Sequence, residues 1–230
     1  MLDCISVENM RRSDALTIEK YVPSLDLMHR AAMGVFRTVD WQGRIAIVVG
    51  SGNNGGDGFA LACILHEHKI DCAIFTVSQR LSADSAYYAA QAANLGVPIS
   101  PFTPCCLDGV DVIVDCLLGT GFQGALRENY RTAIEEINAS DAQVISVDIN
   151  SGMNGDTGEG ELIVRSDLTV TIGFVKNGLV TPNAGNYMKR LVCADIGIRL
   201  AKEENKICAA NEHHPNAIPC PPWLDMEFTG

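Results

Sequence analysis

The sequence predicts a three-layer α/β/α, Rossmann-like fold with a mostly parallel sheet and two N-terminal helices. Three observations support this prediction. After Gly43, short runs rich in β-branched residues alternate with helical segments. These runs are continuously apolar, as strands buried on both faces of a parallel sheet are. A repeated strand–helix order also places parallel strands side by side, with helices on both faces of the sheet.

Two helical patterns open the chain. Residues 6–21 are amphipathic and begin at Ser6, a residue type that caps helices, while residues 24–38 repeat apolar side chains at helical spacing. Pro23 separates the two patterns, because proline disfavours helical backbone in the residue before it. Residues 6–38 carry more apolar surface than two outlying helices need, so we expect a homo-oligomer held partly by the opening helices. The alternative is that these side chains cover one face of the sheet: Leu27, Met28, Met33, Val35 and Phe36.

The remaining elements alternate through one domain over residues 1–200. The predicted strands are Ile45–Val49, Cys72–Val77, Pro98–Phe102, Val110–Leu118, Val144–Ile149, Leu168–Phe174 and, as the last, Leu191–Ile196. The predicted helices between them span residues 56–68, 82–95 and 128–139. Residues 201–230 are polar and then rich in proline, which predicts an irregular tail that Trp223 could pack against the domain.

The composition excludes several classes of function. The net charge of −11 and the lack of a Lys/Arg cluster disfavour nucleic-acid binding, which depends on basic side chains. No apolar stretch is long enough for a membrane span, and the N-terminus does not resemble a secretory signal. Nine cysteines without a CxxC spacing indicate reduced thiols and a cytoplasmic protein. With nucleic acid disfavoured by the charge, the expected ligand is a small molecule or a protein.

The segment Gly50–Gly58 follows the first predicted strand and contains the spacing GxGxxG. This spacing is typical of dinucleotide-binding turns, although one match alone is weak evidence. No acidic residue ends the second strand, but Arg80 could bind a 2′-phosphate, so an NADP-dependent oxidoreductase stays an alternative. A tight turn would explain the glycines but not the polar residues among them, Asn53, Asn54 and Asp57.

Polar residues also follow three later strands. Asp115 lies near a loop that spans Gly119–Gly124, Asp148–Gly152 follows the next strand, and Lys176 follows Thr171–Phe174. Taken singly, each could cap a turn or lie on the surface. Because ligands of open parallel sheets bind beyond the carboxyl ends of the strands, we expect these segments to converge on the glycine turn.

In their order along residues 5–198, these motifs resemble the NAD(P)H-hydrate epimerase family, also known as the YjeF N-terminal domain. The resemblance implies an isomerase that interconverts the R and S forms of hydrated NADH and NADPH in nicotinamide nucleotide repair. It implies substrate binding by Asp148 and by two further groups: Asn53, Asn54, Gly55, Gly56 and Asp57, then Gly119, Thr120, Gly121, Phe122, Gln123, Gly124 and Ala125. It also implies a potassium ion on Asn54, Asp115 and Ser151, whose oxygen atoms suit a hard cation.

The chemistry of the substrate gives two residues a catalytic part. The hydroxyl on C6 lies next to a ring nitrogen, so its departure leaves a nitrogen-stabilised cation, and a carboxyl that donates and then accepts a proton serves both steps. We expect Asp148 to do this, with Lys176 tuning its proton affinity or holding the carboxamide. About thirty residues follow the family region, so we expect no dehydratase activity from this chain.

The chain departs from the family pattern at His29, at Cys63 and at Asn150, where proline is usual. None of these departures removes a polar group assigned to the site. A non-catalytic interaction module is a further alternative, because related domains also act as binding surfaces. The presence of Asp115, Asp148 and both asparagines favours the enzyme.

Overall fold

The computed structural model describes residues 1–208 and 214–229 of the chain. In the described residues, the main sheet contains eight parallel strands in the spatial order β12-β9-β7-β6-β5-β2-β3-β4. Numbered along the chain, these strands are β2 (Ile45–Val49), β3 (Cys72–Thr76), β4 (Ile99–Pro101), β5 (Val112–Cys116), β6 (Gln143–Val147), β7 (Ser166–Ile172), β9 (Met188–Ala194) and β12 (Leu224–Thr229). The helices are α1 (Val7–Lys20), α2 (Ser24–Thr38), α3 (Asn53–Glu67), α4 (Ala83–Asn94) and α5 (Glu128–Ala139).

Helices cover both faces of this sheet, as the sequence predicted. Ile45 and Ile47 of β2 belong to the core under α2, α3 and α4, while Ala46 and Val48 belong to the core under α5. Successive side chains of a strand point to opposite faces, so a run of apolar residues is needed when both faces are covered. The three-layer α/β/α prediction is therefore confirmed.

Helix α2 packs tightly on the sheet. A Cβ atom at Gly34 would lie only 2.8 Å from the Cβ of Ala194 in β9, so a larger residue there would separate the helix from the strand. Leu27, Met28 and Val35 are buried inside the chain, at 6%, 6% and 0% exposure. The apolar surface that led us to expect a homo-oligomer is thus mostly used within one chain, and the oligomer stays a prediction.

Helix α1 is held by a polar stripe on one of its sides. We call residues 199–204 the return segment, because there the chain passes back along α1. The hydroxyl of Thr17 accepts from the Arg199 amide at 2.8 Å, that of Ser13 accepts from the Ala201 amide at 3.0 Å, and Asn9 donates to the Lys202 carbonyl at 2.7 Å. These three residues are buried, and their spacing of four places them on one face of the helix.

A second, four-stranded sheet joins the two ends of the chain, in the order β11-β10-β1-β8. Its strands are β1 (Leu2–Ile5), β8 (Val175–Lys176), β10 (Asn205–Cys208) and β11 (Ala217–Pro219). Strands β10, β11 and β12 replace the irregular tail predicted for residues 201–230, of which residues 209–213 and 230 lie outside the described residues. The same strands show that Leu191–Ile196, which corresponds to β9, is not the last strand.

The tail strands form because a few apolar side chains become buried there. Ile207 and Leu224 join a core with Cys4 and Leu179, and the indole of Trp223 donates to the Leu179 carbonyl at 3.0 Å. Pro219 ends β11, a position where a strand does not need the missing amide hydrogen. In the described part of the chain, none of the helices combines the length and apolar character needed to cross a bilayer.

Candidate active site

A cleft of about 500 Å³ opens at the carboxyl ends of the central strands. One side, which we call the helix wall, consists of side chains from the first two helices: Met10, Arg11, Asp14, Ile18, Ser24, Leu27, Met28 and Ala31. The other, the strand-end wall, consists of residues after β2, β5 and β6: Ser51, Gly52, Asn53, Asn54, Asp57, Leu117, Leu118, Gly119, Thr120, Gly121, Phe122 and Asp148. The predicted convergence of the strand ends is therefore found, and side chains of α1 and α2 line the same cleft.

The glycine turn brings the chain close to itself before α3. A Cβ atom at Gly50 would lie 1.9 Å from the Leu117 carbonyl oxygen, and one at Gly55 would lie 2.4 Å from the Gly50 oxygen. Helix α3 begins at Asn53, three residues earlier than predicted, and its Gly52 cap provides no side-chain hydrogen bond. The first amides of this 15-residue helix are thus available to an anionic group at the cleft.

The two asparagines of the turn have different surroundings. Asn53 is exposed, and its carboxamide oxygen accepts from the Ser82 hydroxyl at 2.7 Å. Asn54 is 7% exposed, and neither its side-chain oxygen nor its nitrogen has a hydrogen-bond partner among the described residues. A buried amide without partners is costly, so Asn54 is a group that a ligand or ion in the cleft would satisfy.

Asp115 is fully buried at the end of β5 and accepts four hydrogen bonds. Ser151 donates from its hydroxyl at 2.5 Å and from its amide at 3.0 Å, while Ser146 and the Leu117 amide donate at 2.8 and 3.2 Å. Burial raises the pKa of this carboxyl, and the hydrogen bonds oppose the rise. Asp115 therefore joins the ends of β5 and β6, so two of the three predicted metal ligands lie in direct contact.

Asp148 and Lys176 form an ion pair beneath the cleft. Asp148 follows β6 with a φ of 69°, a left-handed conformation that is uncommon outside glycine. The ammonium of Lys176 is 0% exposed and donates to the Asp148 carboxylate, to the Thr171 hydroxyl at 2.9 Å and to the Ile172 carbonyl at 2.8 Å. Its three hydrogens are thus all engaged, and the alternative of a solvated surface lysine is wrong.

The loop over Gly119–Ala125 only partly faces the cleft. Gly119 lies beside Asp148, since a Cβ atom there would be 3.3 Å from a carboxylate oxygen, and the Thr120 amide donates to the same oxygen at 3.4 Å. Gln123 and Gly124 instead line a separate cavity of about 90 Å³. Neither these two nor Ala125 are cleft-lining residues.

Other predicted residues have a supporting position or lie elsewhere. Gly55 and Gly56 are buried behind the turn, where a Cβ atom on Gly56 would lie 2.6 Å from Met28. Asn150 is buried and donates to the carbonyls of Val164 and Tyr187, so it ties the loop after β6 to its neighbours. Arg80, which motivated the oxidoreductase alternative, is exposed and does not line the cleft.

The structure adds a residue that sequence reasoning missed. Asp14 of α1 lines the cleft, and burial raises its pKa to about 6, with the negative charge of Asp148 adding to the rise and Lys176 opposing it. Burial also raises the pKa of Asp57 well above its ordinary value, helped by the charges of Asp148 and Asp14. No sequence motif connects Asp14 to the strand ends, since its place follows from the packing of α1.

Comparisons with known proteins agree on one family. The sequence model described as "YjeF-related protein N-terminus" matches residues 24–178. An NAD(P)H-hydrate epimerase of Limosilactobacillus fermentum is 36% identical over 199 residues, which cover 83% of this chain and 95% of that protein. An NAD(P)H-hydrate epimerase of Rhodopirellula baltica is 33% identical, with 85% of each chain covered.

Two further similarities concern a longer protein and a solved structure. A bifunctional NAD(P)H-hydrate repair enzyme of Coxiella burnetii is 35% identical over 82% of this chain but over only 40% of its own length. The crystal structure of the yeast protein YNL200c superposes with a TM-score of 0.68 at 19% identity, covering 81% of this chain and 86% of the yeast chain. At that identity the yeast structure supports the fold alone.

Proposed function

The chain belongs to the family described as the YjeF-related protein N-terminus, and we propose that it carries out the family's epimerisation with Asp148 as acid and base. Its curated relatives of similar length are NAD(P)H-hydrate epimerases, so the chain is an isomerase acting on hydrated NADH or NADPH in nicotinamide nucleotide repair. The observation that supports the role of Asp148 is its place in the cleft, 15% exposed and joined to a fully buried lysine.

The position of Asp148 suits proton transfer to a bound hydrate. As a carboxylic acid it donates a proton to the C6 hydroxyl, the C–O bond breaks, and water leaves with the electron pair. The ring nitrogen stabilises the cation that remains. When water returns to C6, a carboxylate accepts its proton, so no net change of atoms or charge results.

Lys176 positions this carboxyl group. Its ammonium is fully buried and all three of its hydrogens are engaged, so it cannot rotate away from Asp148 without losing a hydrogen bond. The left-handed backbone at Asp148 fixes the side chain from the other end. We therefore assign Lys176 to holding Asp148 rather than to contacting the substrate.

Two features of the cleft suit the dinucleotide. The uncapped start of α3 offers backbone amides to a pyrophosphate, as helix N-termini commonly do. Arg11 is exposed on the helix wall and adds a positive charge to a cleft otherwise rich in carboxylates. We assign phosphate binding to these groups and the nicotinamide to the part of the cleft near Asp148.

Potassium is the cofactor we propose, held by Asn54, Asp115 and Ser151. The residues fit such an ion, because all three offer oxygen atoms and the carboxamide oxygen of Asn54 has no partner of its own. When bound, the ion would supply a positive charge that offsets the carboxylates of the cleft. Asp115 and Ser151 would connect it to the ends of β5 and β6.

We also propose that the protein works in the cytoplasm. All nine cysteines are free thiols in the structure, and burial raises the pKa of several of them, among which Cys4 reaches about 12. Thiols with so high a pKa react slowly, which is compatible with a reducing compartment.

The assignment is tested with a mixture of R and S hydrates displaced from equilibrium. We expect the purified chain to relax the ratio faster than buffer does, without ATP and without oxidation or reduction of the ring, as followed by chromatography or NMR. A relaxation rate equal to that in buffer would disprove the epimerase. Hydride transfer would support the oxidoreductase, and binding without conversion would support an interaction module.

A further inference from the structure

Two carboxyl groups lie on different walls of the same cleft. Asp148 belongs to the strand-end wall and Asp14 to the helix wall. Their charges influence each other, since the ionised form of Asp148 disfavours ionisation of Asp14. Both carboxyls line this one cleft, so a ligand bound in it has access to each of them.

The helix that bears Asp14 is firmly placed. At its start the Ser6 amide donates to Glu204 at 2.6 Å and the Val7 amide donates to Asp156 at 2.8 Å, so carboxylates occupy the positive end of α1. Further along, the hydroxyl of Ser13, next to Asp14, accepts from the return segment at 3.0 Å. Ser13 is thus attached to the return segment, while its neighbour Asp14 lines the cleft.

The surroundings of the two carboxyls differ. Asp148 is paired with Lys176, whereas in the described part of the chain Asp14 makes no hydrogen bond or ion pair. Burial is the main reason that the pKa of Asp14 rises to about 6. Two carboxyls in unlike surroundings can hold one proton between them, as an acid and a base working together require. Besides Arg11 of the same helix, the charged residues that share the cleft with Asp14 are Asp57, Asp84 and Asp148, and the buried charge of Lys176 also acts on it.

We propose that Asp14 is a second catalytic acid and base, acting on the face of the nicotinamide ring opposite to the one served by Asp148. This inference rests on the proposed role of Asp148. Epimerisation removes the hydroxyl from one face of C6 and returns it to the other, and a carboxyl on one wall reaches only one face of a ring held between the walls.

The steps balance when both residues take part. Protonated Asp14 gives its proton to the hydroxyl on its side, the C–O bond breaks, and water departs with the electron pair. A second water then forms a C–O bond on the opposite face and gives its proton to Asp148, which is ionised beside Lys176. The opposite epimer starts with Asp148 protonated and Asp14 ionised, so one turnover prepares the enzyme for the reverse reaction.

Neither of the other two cleft aspartates fits this part equally well. Asp57 follows the first turn of α3, on the same wall as Asp148, and Asp84 lies at the start of α4. Asp14 is the carboxyl that α1 contributes to the cleft. Asp14 is therefore the carboxyl that we assign to the opposite face of the ring.

The proposal is tested by incubating Asp14→Asn in heavy-oxygen water. Removal of one carboxyl should leave the oxygen exchange that depends on the other carboxyl. We expect wild type to incorporate solvent oxygen into both epimers with inversion. Asp14→Asn should lose inversion by ~10²–10⁴-fold yet still exchange oxygen with retention in one epimer, and Asp148→Asn should do the same in the other epimer. Asp14→Glu should restore part of the inversion.

Glu19→Gln is the matched control, since it removes an exposed carboxylate from the same helix and should match wild type. Inversion by Asp14→Asn at the wild-type rate would overturn the proposal. The proposal would also be overturned if Asp14→Asn melted like wild type but lost oxygen exchange equally from both epimers. Failure of wild type itself to epimerise would instead remove the proposed function. Unaffected Asp148→Asn would remove the role of Asp148 and, with it, the assignment of Asp14 to the opposite face, while the epimerase activity itself would stand.

Discussion

The buried ammonium of Lys176 holds the carboxylate of Asp148, a residue that the chain reaches with a φ of 69°. A left-handed residue costs roughly 1–2 kcal/mol in a side chain with a Cβ atom, although aspartate and asparagine tolerate it best. Here the unfavourable backbone turns the carboxyl toward the cleft, and the lysine fixes it there. Strain of this kind is often found where a catalytic group must be aimed.

Asp148→Asn should lower the epimerisation rate by ~10²–10⁴-fold, because the amide neither donates nor accepts the required proton. Asparagine is chosen because it also adopts the left-handed backbone. Hydrate binding should persist, measured by calorimetry alongside the R-to-S conversion rate. A variant that converts hydrates at half the wild-type rate or better would show that another group transfers the proton.

Lys176→Met should reduce both stability and activity. Methionine has a similar length, but its substitution leaves Asp148, Thr171 and the Ile172 carbonyl without their donor. Breaking a buried ion pair in this way typically costs about 3–5 kcal/mol, and the partial exposure of Asp148 should place the loss near the lower end. Urea unfolding measures the loss. Lys189→Met is the control, because its pair with Asp167 is exposed, and a loss equal to that of Lys176→Met would contradict the argument.

Much of the fold could be predicted because the strands obey simple rules. The apolar runs at Ile45–Val49 and Val112–Cys116 are buried on both faces, as their composition indicates. The start of α3 was misplaced because the glycines at 55 and 56 disfavour a helix by intrinsic propensity. Close contacts require them nonetheless, since position 55 lies against the backbone of Gly50 and position 56 against Met28. Tertiary contact thus overrides local preference.

The site was predictable only where residues follow strands. Asp115 and Asp148 could be placed because the ends of parallel strands meet at one edge. Asp14 could not, because its contact with the cleft depends on how α1 packs against a return segment almost 190 residues later in the chain. Similarly, β10 and β12 depend on partners at the other end of the chain or at the sheet edge, so local sequence alone gives little sign of them.

Potassium should stabilise wild type but not Asn54→Leu. Asn54 has no hydrogen-bond partner among the described residues, so its replacement by a similar-sized apolar residue should cost little in the absence of the ion. At about a hundredfold excess over Kd, an ion that binds only the folded state adds about 2.7 kcal/mol. Thermal melts with potassium against tetramethylammonium measure this difference.

Asp115→Ala separates the metal from the hydrogen bonds. It should melt lower in either salt, because four donors lose their acceptor, and it should also lose the response to potassium. If wild type melts at the same temperature in both salts, with and without hydrate, the potassium site is wrong. If Asp115→Ala responds to potassium as wild type does, Asp115 is structural only.

Thr17→Val should loosen the return segment. The Thr17 hydroxyl donates to the Ser13 carbonyl at 2.7 Å and also accepts from the Arg199 amide at 2.8 Å. Loss of the acceptor should cost about 1–3 kcal/mol and speed hydrogen exchange at Arg199. Thr38→Val is a matched control, because that hydroxyl donates to the Gly34 carbonyl in the same way and has no acceptor role in the described structure. Equal exchange at Arg199 in both variants would mean that the hydroxyl does not hold the segment.

Asp14→Asn should stabilise the protein at high pH while it inactivates the enzyme. Burial raises the pKa of Asp14 from 3.8 to about 6, so the folded state binds this proton more tightly than the unfolded chain does. The stability that the proton contributes is fully present below about pH 4 and is lost as the pH rises through about 6. Asparagine has no such charge to form in the cleft. The melting temperature of Asp14→Asn should therefore exceed that of wild type above the pKa of Asp14, and the difference should shrink toward about pH 4.

Glu19→Gln, on the exposed face of the same helix, should follow wild type throughout. A difference between Asp14→Asn and wild type that stays constant over this range would show that the ionisation of Asp14 is not coupled to folding.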